Sequence, residues 1–198
     1  HDCRENKEVR AVYLTGNGKA FCAGQDINEL QGDNVPTFST ILNEHYNPII
    51  KRIVDLEKPV LCAVNGVAAG AGANLAIACD ITVAHEKASF IQAFSKIGLV
   101  PDSGGTYLLP RLIGRQWASA LMMLGDKISA EDAAEIGMIY QALPNGSFEK
   151  KSWDMAKRLA TMPTKALGII KKALSFSLTS DLDRQLAMET ELQGAASR

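Results

Sequence analysis

The sequence contains few residues able to form disulfides or bind a metal, and these residues do not cluster. Its four cysteines and three histidines are spread along the chain without a pairing pattern or a metal-ligand spacing. The lack of a Cys/His cluster and of an H-E-x-x-H motif argues against zinc sites, and we expect no metal. Scattered cysteines are typical of a reducing compartment, which predicts a cytoplasmic protein.

An excess of one charge and long apolar runs are also missing. The 198 residues carry 21 Lys and Arg against 22 Asp and Glu, without a block of like charge. This balance argues against a general nucleic-acid or membrane-surface binder. No apolar run approaches the length that spans a bilayer. The hydrophobic content of 46% is sufficient for one substantial core.

Small residues, in contrast, are concentrated in one stretch. Residues 65–75 read NGVAAGAGANL and connect the apolar run at 59–64 to an apolar helical segment. A turn of Gly and Ala leaves backbone N–H groups open to a ligand, because no large side chain blocks the approach. The stretch therefore predicts a site for a phosphate or a developing oxyanion.

A second small-residue turn, FCAGQDI at residues 21–27, lies some forty-five positions earlier and also follows a strand. If the two strands are neighbours, the N–H groups near Gln25 and Ala71 can converge on one oxygen, as an enolate requires. Either turn alone is better explained as a tight turn in which Gly adopts unusual dihedral angles. Nucleotide and nucleophile motifs fit less well, because G-x-G-x-x-G is incomplete and neither a P-loop nor G-x-S-x-G is present.

Alternating strand and helix patterns predict an α/β core. Strands are expected at residues 9–16, 59–64, 81–84, 88–91 and 138–143, and helices at 46–56, 73–78, 106–113, 117–124, 129–137, 148–160, 163–176 and 181–195. Because the strands are continuously apolar, we expect them to be buried on both faces. Gly, Asp, Asn and Pro predict a mobile loop at residues 30–40. The helix-like ends suggest that residues are missing from both termini.

Four motifs resemble, in order and spacing, the crotonase superfamily of enoyl-CoA hydratases and isomerases: FCAGQDI at 21–27, PVLCAVNG at 59–66, CDI at 79–81 and GLVPDSGGT at 98–106. The resemblance implies a spiral of ββα units with a helical C-terminal trimerisation region, in a homotrimer or a hexamer. It divides the chain into an acyl-CoA-binding core at residues 1–125 and the helical region at 126–198. It also implies that acyl-CoA is the substrate and that no separate cofactor takes part.

The resemblance also implies roles for individual residues. In the superfamily two backbone N–H groups hold the thioester oxygen of the acyl-CoA, and by position they belong here to Gln25 and Ala71. The segment containing Ala23, Gln25, Asp26 and Ile27 would line the channel for the adenine and pantetheine of CoA.

The sequence departs from the hydratases at their two glutamates, which by position become Asn74 and Phe94. Neither side chain activates water as a carboxylate does, so ordinary hydratase chemistry is not expected. The remaining acid is Asp102, at the place where several isomerases of the superfamily carry their acid/base carboxylate. Local sequence alone favours a turn residue or helix N-cap for Asp102, whereas the position match and the missing glutamates favour catalysis.

Further motifs resemble the subfamily of ring-1,2-epoxyphenylacetyl-CoA isomerases of phenylacetate catabolism, which is similar to 3,2-trans-enoyl-CoA isomerases. They are YNP at 46–48, AAGAGA at 68–73, QAFSKIGLVPD at 92–102 and GGTYLLPR at 104–111. We therefore expect an acyl-CoA isomerase with a single aspartate as acid and base. A hydratase, an aryl-CoA dehalogenase and a non-enzymatic acyl-CoA-binding or RNA-binding homologue remain as alternatives. Dehalogenases also use a histidine on the preceding helix, where this chain has Asn47 and Lys51.

Three other residues have structural interpretations. Asp80 is expected to bond backbone N–H groups and brace a turn, and Asp26 is expected to be structural as well. Phe94 is expected to form the wall of an apolar pocket, with plain core packing as the alternative.

Overall fold

The computed structural model describes residues 2–26, 29 and 36–197, and within them two four-stranded sheets. The strands are β1 (Val12–Thr15), β2 (Ala20–Cys22), β3 (Val60–Val64), β4 (Val67–Ala69), β5 (Ile81–His85), β6 (Ser89–Ile91), β7 (Lys127–Ser129) and β8 (Gln141–Leu143). The α-helices are α1 (Asp2–Glu5), α2 (Phe38–Ile41), α3 (Asn47–Val54), α4 (Ala71–Ile77), α5 (Gly105–Leu124), α6 (Ala130–Glu135), α7 (Phe148–Thr161), α8 (Thr164–Ser177) and α9 (Leu182–Ala196).

Consecutive strands alternate between the two sheets as far as β6. The first sheet has the order β1-β3-β5-β8 and is parallel throughout. The second has the order β2-β4-β6-β7 and is parallel except for the pair β6 and β7. A helix follows each pair of strands, so the chain repeats a ββα unit, as the family resemblance implies.

Each predicted core strand is present, and burial on both faces is confirmed for the central strand β3. All five residues of β3 are buried, as expected for a central strand of a parallel sheet. The edge strands β1 and β8 each end or begin with an exposed residue. The largest fully buried side chains include Phe90, Leu61 and Leu109, which come from both sheets and from α5. The buried apolar residues form a large cluster and a smaller one.

Three short strands were not predicted. Strand β2 follows the predicted strand at residues 9–16, β4 lies inside the stretch that was read as a Gly/Ala turn, and β7 precedes α6. Each has only three residues, which is too short for an alternating pattern to stand out. The Gly/Ala stretch is therefore a strand followed directly by a helix.

The region before α3 also differs from expectation. The predicted loop at residues 30–40 is wrong at its end, because α2 begins at Phe38 with the Thr37 hydroxyl accepting a hydrogen bond from the Thr40 N–H. A π-helical segment, Leu42–Tyr46, joins α2 to α3. Residues 30–35 lie outside the described part of the chain.

Helix α5 contains both helices that were predicted between residues 106 and 124. Gly114 interrupts it with φ 73° and ψ 164°, values that only glycine adopts easily, so the two segments meet at a kink. Helix α6, expected from residue 129, is capped by Ser129, because the Asp132 N–H donates to Ser129 Oγ at 3.1 Å.

Residues 126–197 contribute one strand to each sheet and also supply four of the nine α-helices in the described part of the chain. Strand β7 pairs with β6, and β8 pairs with β5. The division into a core at residues 1–125 and a helical region at 126–198 stays a prediction. Strands from both parts pair with each other in each sheet. Within the described residues, no helix is long and apolar enough to cross a membrane.

Asp80 has the bracing role that was expected. Its Oδ2 accepts hydrogen bonds from the Val60 N–H at 2.8 Å and from Lys171 Nζ at 2.9 Å. Lys171 Nζ also donates to the Ile53 carbonyl at 2.6 Å. Burial raises the pKa of Asp80, and the hydrogen bond from Lys171 opposes that rise. These bonds attach α8 to the end of α3 and to the first sheet.

Candidate active site

Pairing between β2 and β4 brings the two small-residue turns together. The strands are parallel, with Ala20 opposite Val67 and Cys22 opposite Ala68, so both end at the same edge of the second sheet. A Cβ on Gly72 would lie 2.2 Å from the Cys22 carbonyl oxygen, which only a glycine allows. The backbones after the two strands are therefore in direct contact.

The FCAGQDI turn, which is described over residues 21–26, lies beside the start of α4. A Cβ on Gly24 would be 3.6 Å from the Ala71 nitrogen, and Gly24 has φ 90°. Ala71 is the first residue of α4, so its N–H has no acceptor within the helix. Gln25 immediately follows Gly24. Gln25 and Ala71 therefore lie in neighbouring segments, as expected. Binding of one oxygen by both of their N–H groups stays a prediction.

Phe94 is buried beside Gly70, the residue before Ala71, and its expected role as the wall of an apolar pocket stays a prediction. The side chain is 6% exposed, and its Cζ lies 3.6 Å from the place that a Cβ on Gly70 would occupy. Gly70 has φ 54° and precedes α4 directly. A hydratase glutamate at this position would put a charge where the structure has an aromatic ring.

Asp102 is half-buried in a tight turn, residues 101–104, that leads into α5. Ser103 Oγ donates a hydrogen bond to Asp102 Oδ1 at 2.8 Å. Ser103 has φ 49° and is the only described non-glycine residue with positive φ, a conformation that costs on the order of 1–3 kcal/mol and is concentrated at active sites. The residue that caps α5 is Gly104, so the interpretation of Asp102 as an N-cap is wrong.

Burial determines the acidity of Asp102. It raises the pKa of the carboxyl above its ordinary value of 3.8, and the hydrogen bond from Ser103 opposes part of that rise. A carboxylate with a raised pKa is a stronger base than one in water, and its acid form returns a proton more readily near neutral pH.

Asn74 connects Asp102 to α4, and sequence reasoning missed this role. Asn74 is fully buried; its Nδ2 donates to the Asp102 carbonyl at 2.8 Å, and its Oδ1 accepts from Gln92 Nε2 at 2.8 Å. The Asn74 N–H in turn donates to the Gly70 carbonyl at 3.2 Å. Asn74 lies one helical turn after Ala71, so its hydrogen bond attaches the Asp102 backbone to the start of α4. Sequence comparison had marked Asn74 only as a missing glutamate.

The remaining predicted site residues lie in or next to the FCAGQDI turn. Gln25 is half-buried, and its Nε2 donates to Glu29 Oε2 at 2.6 Å. Ala23 and Asp26 are exposed at the edge of the turn. Ile27, which was assigned to CoA binding with them, lies outside the described residues. The role of this segment in CoA binding stays a prediction.

A cavity of about 700 Å³ lies beyond the Asp102 turn, between α3, α5 and α8. Ile50, Gly104 and Leu108 are among its largely apolar lining, and Asp80 and Lys171 lie in its wall. Gln25, Ala71 and Asp102 do not line it. The cavity therefore lies behind the candidate site.

Two small-residue turns in backbone contact, and a half-buried acid bonded to the helix after one of them, lie on a fold of repeated ββα units. The family described as enoyl-CoA hydratase/isomerase matches residues 1–197. The chain belongs to this family, and its fold is the crotonase fold.

Individual relatives fall into several activities. The chain is 47% identical over 193 residues to the 1,2-epoxyphenylacetyl-CoA isomerase of Escherichia coli, an alignment that covers 96% of this chain and 74% of the relative. It is 45% identical over 191 residues to a probable enoyl-CoA hydratase of Rhodobacter capsulatus, with the same coverage of 96% and 74%. It is also 29% identical over 178 residues to a 4-chlorobenzoyl coenzyme A dehalogenase of an Arthrobacter species, covering 88% of this chain and 64% of the relative. Membership in the family leaves the reaction open.

Solved structures confirm the fold. An enoyl-CoA hydratase from Polaromonas sp. JS666 superposes with a TM-score of 0.90 at 35% identity, covering 98% of this chain and 76% of that one. An enoyl-CoA hydratase/isomerase from Mycobacterium abscessus gives a TM-score of 0.91 at 36% identity, with the same coverage of 98% and 76%.

Proposed function

We propose that this protein is an acyl-CoA isomerase that moves a proton between carbons of the acyl group. The backbone N–H groups of Gln25 and Ala71 bind the thioester oxygen, and Asp102 is the single acid and base. The observation that carries the proposal is the bond from Asn74 to the Asp102 backbone, since it attaches a half-buried acid with a raised pKa to the helix that begins at Ala71.

The side chains at the hydratase positions support an isomerase over a hydratase. Both ends of the Asn74 amide are engaged in hydrogen bonds, to Asp102 and to Gln92. Phe94 has no titratable group. A hydratase needs a base for the attacking water, and neither residue supplies one.

The proposed reaction needs one base and one oxyanion site. Asp102 takes a proton from the carbon next to the thioester, and the charge moves to the thioester oxygen as a dienolate. Each backbone donor at such an oxygen is worth about 3–4 kcal/mol in the transition state. The protonated Asp102 then returns the proton two carbons further along, so that only the double bond has moved. This proton transfer uses no cofactor besides the CoA of the substrate.

We propose 1,2-epoxyphenylacetyl-CoA, 3-enoyl-CoA thioesters, or both as substrates. The 47% identity to the E. coli isomerase supports the ring epoxide. The Phe94 ring beside Gly70 supports an aryl or alkenyl group, because it gives the site an apolar wall. With the epoxide, polarisation of the thioester assists ring opening and expansion to the oxepin.

We also propose a homotrimer or a pair of trimers. Large apolar side chains on α8 and α9 support it, since Leu174 is 64% exposed and Leu182 is 71% exposed. An apolar face of this kind is typical of subunit contacts.

The test compares Asp102→Asn with the wild type on 3-hexenoyl-CoA, ring-epoxidised phenylacetyl-CoA and crotonyl-CoA. We expect the wild type to isomerise at least one of the first two and to hydrate crotonyl-CoA poorly. Asp102→Asn should lower isomerase turnover by about 10²–10⁴-fold, since the substitution keeps the shape and removes the base. Asp154→Asn, at an acid on α7 whose side chain is 42% exposed and pairs with Lys150, is the matched control and should leave turnover unchanged.

Three outcomes would contradict the proposal. Near wild-type isomerisation by Asp102→Asn would eliminate this residue as the proton carrier. Efficient hydration of crotonyl-CoA would instead favour the hydratase activity of the Rhodobacter relative. Binding of acyl-CoA thioesters without turnover of any of the three would favour a binding protein.

A further inference from the structure

We propose that Tyr46 determines substrate specificity: its hydroxyl donates a hydrogen bond to an oxygen on the acyl group, so that the site prefers oxygen-bearing acyl thioesters to plain alkenes. This inference rests on the proposed function and names the substrate class of the same site. Sequence reasoning used Tyr46 only as part of a motif.

The helix geometry places Tyr46 at an unusual position. Tyr46 is the last residue of the π-helical segment, and the Asn47 N–H bonds to the Leu42 carbonyl, five residues back. Pro48 explains the wider turn, because proline has no N–H to offer the Glu44 carbonyl. Short π-helical segments inside α-helices are frequent at functional sites.

The same helix face contacts the Asp102 turn. Ile50 follows Tyr46 by one helical turn, so both side chains lie on one face. Ile50 Cγ2 is 3.6 Å from the place that a Cβ on Gly104 would occupy, and Gly104 is two residues after Asp102. Tyr46 therefore lies one turn before a direct contact with the segment that holds the acid.

Charges from both parts of the candidate site act on the Tyr46 phenol. Burial raises the pKa of Tyr46, and the charges of Cys22, Asp102 and Glu29 raise it further. Cys22 ends β2, beside the turn of Gln25, whereas Asp102 lies just before α5. A phenol with a pKa above its ordinary value of 10.0 is protonated at neutral pH, so the hydroxyl is available as a donor.

The Tyr46 hydroxyl has no hydrogen-bond partner among the residues that the structure describes. Tyr13, by comparison, shares a hydrogen bond of 2.9 Å with Ser152. The Tyr46 hydroxyl is not one of the buried polar atoms that lack a partner, so it can be reached from outside the protein and can donate to an oxygen of a bound ligand.

The donor matters only for substrates with such an oxygen. When a ring epoxide expands to the oxepin, the carbon–carbon bond between the two oxygen-bearing carbons breaks and both carbon–oxygen bonds stay, so the neutral oxygen can accept a hydrogen bond from Tyr46 throughout. A 3-enoyl chain has no corresponding oxygen. Loss of one hydrogen bond to a neutral oxygen corresponds to about 3- to 10-fold in rate.

The test measures kcat/KM for ring-epoxidised phenylacetyl-CoA and for 3-hexenoyl-CoA in the wild type and in Tyr46→Phe. We expect the epoxide-to-alkene ratio to fall about 3- to 10-fold in Tyr46→Phe. Tyr140→Phe, at a tyrosine that is 68% exposed, is the matched control and should keep the wild-type ratio. A ratio within twofold of wild type in Tyr46→Phe would overturn the inference.

A binding measurement makes the inference independent of turnover. In the Asp102→Asn background, we expect tighter binding of the ring epoxide thioester than of phenylacetyl-CoA, and loss of this preference when Tyr46→Phe is added. Equal binding of the two thioesters before that addition would refute the role of Tyr46. Failure of the proposed function has a different signature, because the wild type would then isomerise neither substrate whatever residue is at position 46.

Discussion

Replacement of Asn74 by alanine tests whether the buried amide holds Asp102 in place. The substitution removes the donor to the Asp102 carbonyl and the acceptor for Gln92, both at 2.8 Å. Gln92 is 2% exposed, and its Oε1 has no partner within the described structure, so the whole amide would lose its side-chain partners. The Asp102 carbonyl would keep one bond, from the Gly105 N–H at 2.8 Å.

The expected cost follows from these groups. A buried amide donor left without a partner costs about 1–3 kcal/mol, and the second lost hydrogen bond adds about 0.5–1.5 kcal/mol. We therefore expect Asn74→Ala to lower the free energy of unfolding by about 2–4 kcal/mol. The Asp102 turn would also lose its link to α4, so kcat should fall about tenfold or more, as for a misplaced catalytic group.

Urea unfolding followed by circular dichroism, together with isomerase kinetics at a temperature where the variant is folded, measures both effects. Asn145→Ala is the matched control, because Asn145 is exposed and its side chain shares a 2.9 Å hydrogen bond with His85. This control should lower the free energy of unfolding by about 1 kcal/mol or less and leave kcat unchanged. An Asn74→Ala protein as stable and as active as the control would refute the positioning role.

Two further predictions concern the backbone contact and the pH dependence. Gly72→Ala should lower isomerase activity at least tenfold and destabilise the fold, because the new Cβ would lie 2.2 Å from the Cys22 carbonyl oxygen. Gly194→Ala is the control and should leave activity unchanged, because its new Cβ meets nothing within 4 Å. Kinetics and thermal unfolding of the two variants check both outcomes. Burial raises the pKa of Asp102 in the folded state, so ionisation of Asp102 destabilises the fold as the pH rises. Asp102→Asn should therefore be at least as stable as the wild type at pH 7. The difference in the free energy of unfolding should vanish below about pH 3.8, where Asp102 is protonated in both states. The acid limb of wild-type kcat/KM should have its midpoint above 3.8, and a wild type more stable than Asp102→Asn at pH 7 would contradict the assignment of the shift to burial.

Long elements were predictable because their patterns are local. Strand β3 is apolar at every position, and α7 has apolar residues at helical spacing, so both were found within a residue or two of their ends. Short elements failed for the opposite reason. Strand β4 has three residues inside a Gly/Ala stretch, and nothing local separates it from a turn.

The composition of the candidate site was readable from the chain by itself. Glycines at positions 24, 70 and 72 are properties of residue type and order, and they are sufficient to propose an oxyanion site, because the chemistry of an N–H group does not depend on the fold. The resemblance to the crotonase superfamily added the two missing glutamates and Asp102 as the single acid.

Only the tertiary structure decided how these groups meet. The parallel pairing of β2 and β4 brings Gly24 to the nitrogen of Ala71 across forty-seven residues of sequence, and the amide of Asn74 joins α4 to Asp102 across twenty-eight. Such contacts depend on sheet register and helix packing, which no local pattern encodes. The raised pKa of Asp102 has the same origin, because burial is a property of the packed chain and not of the residue.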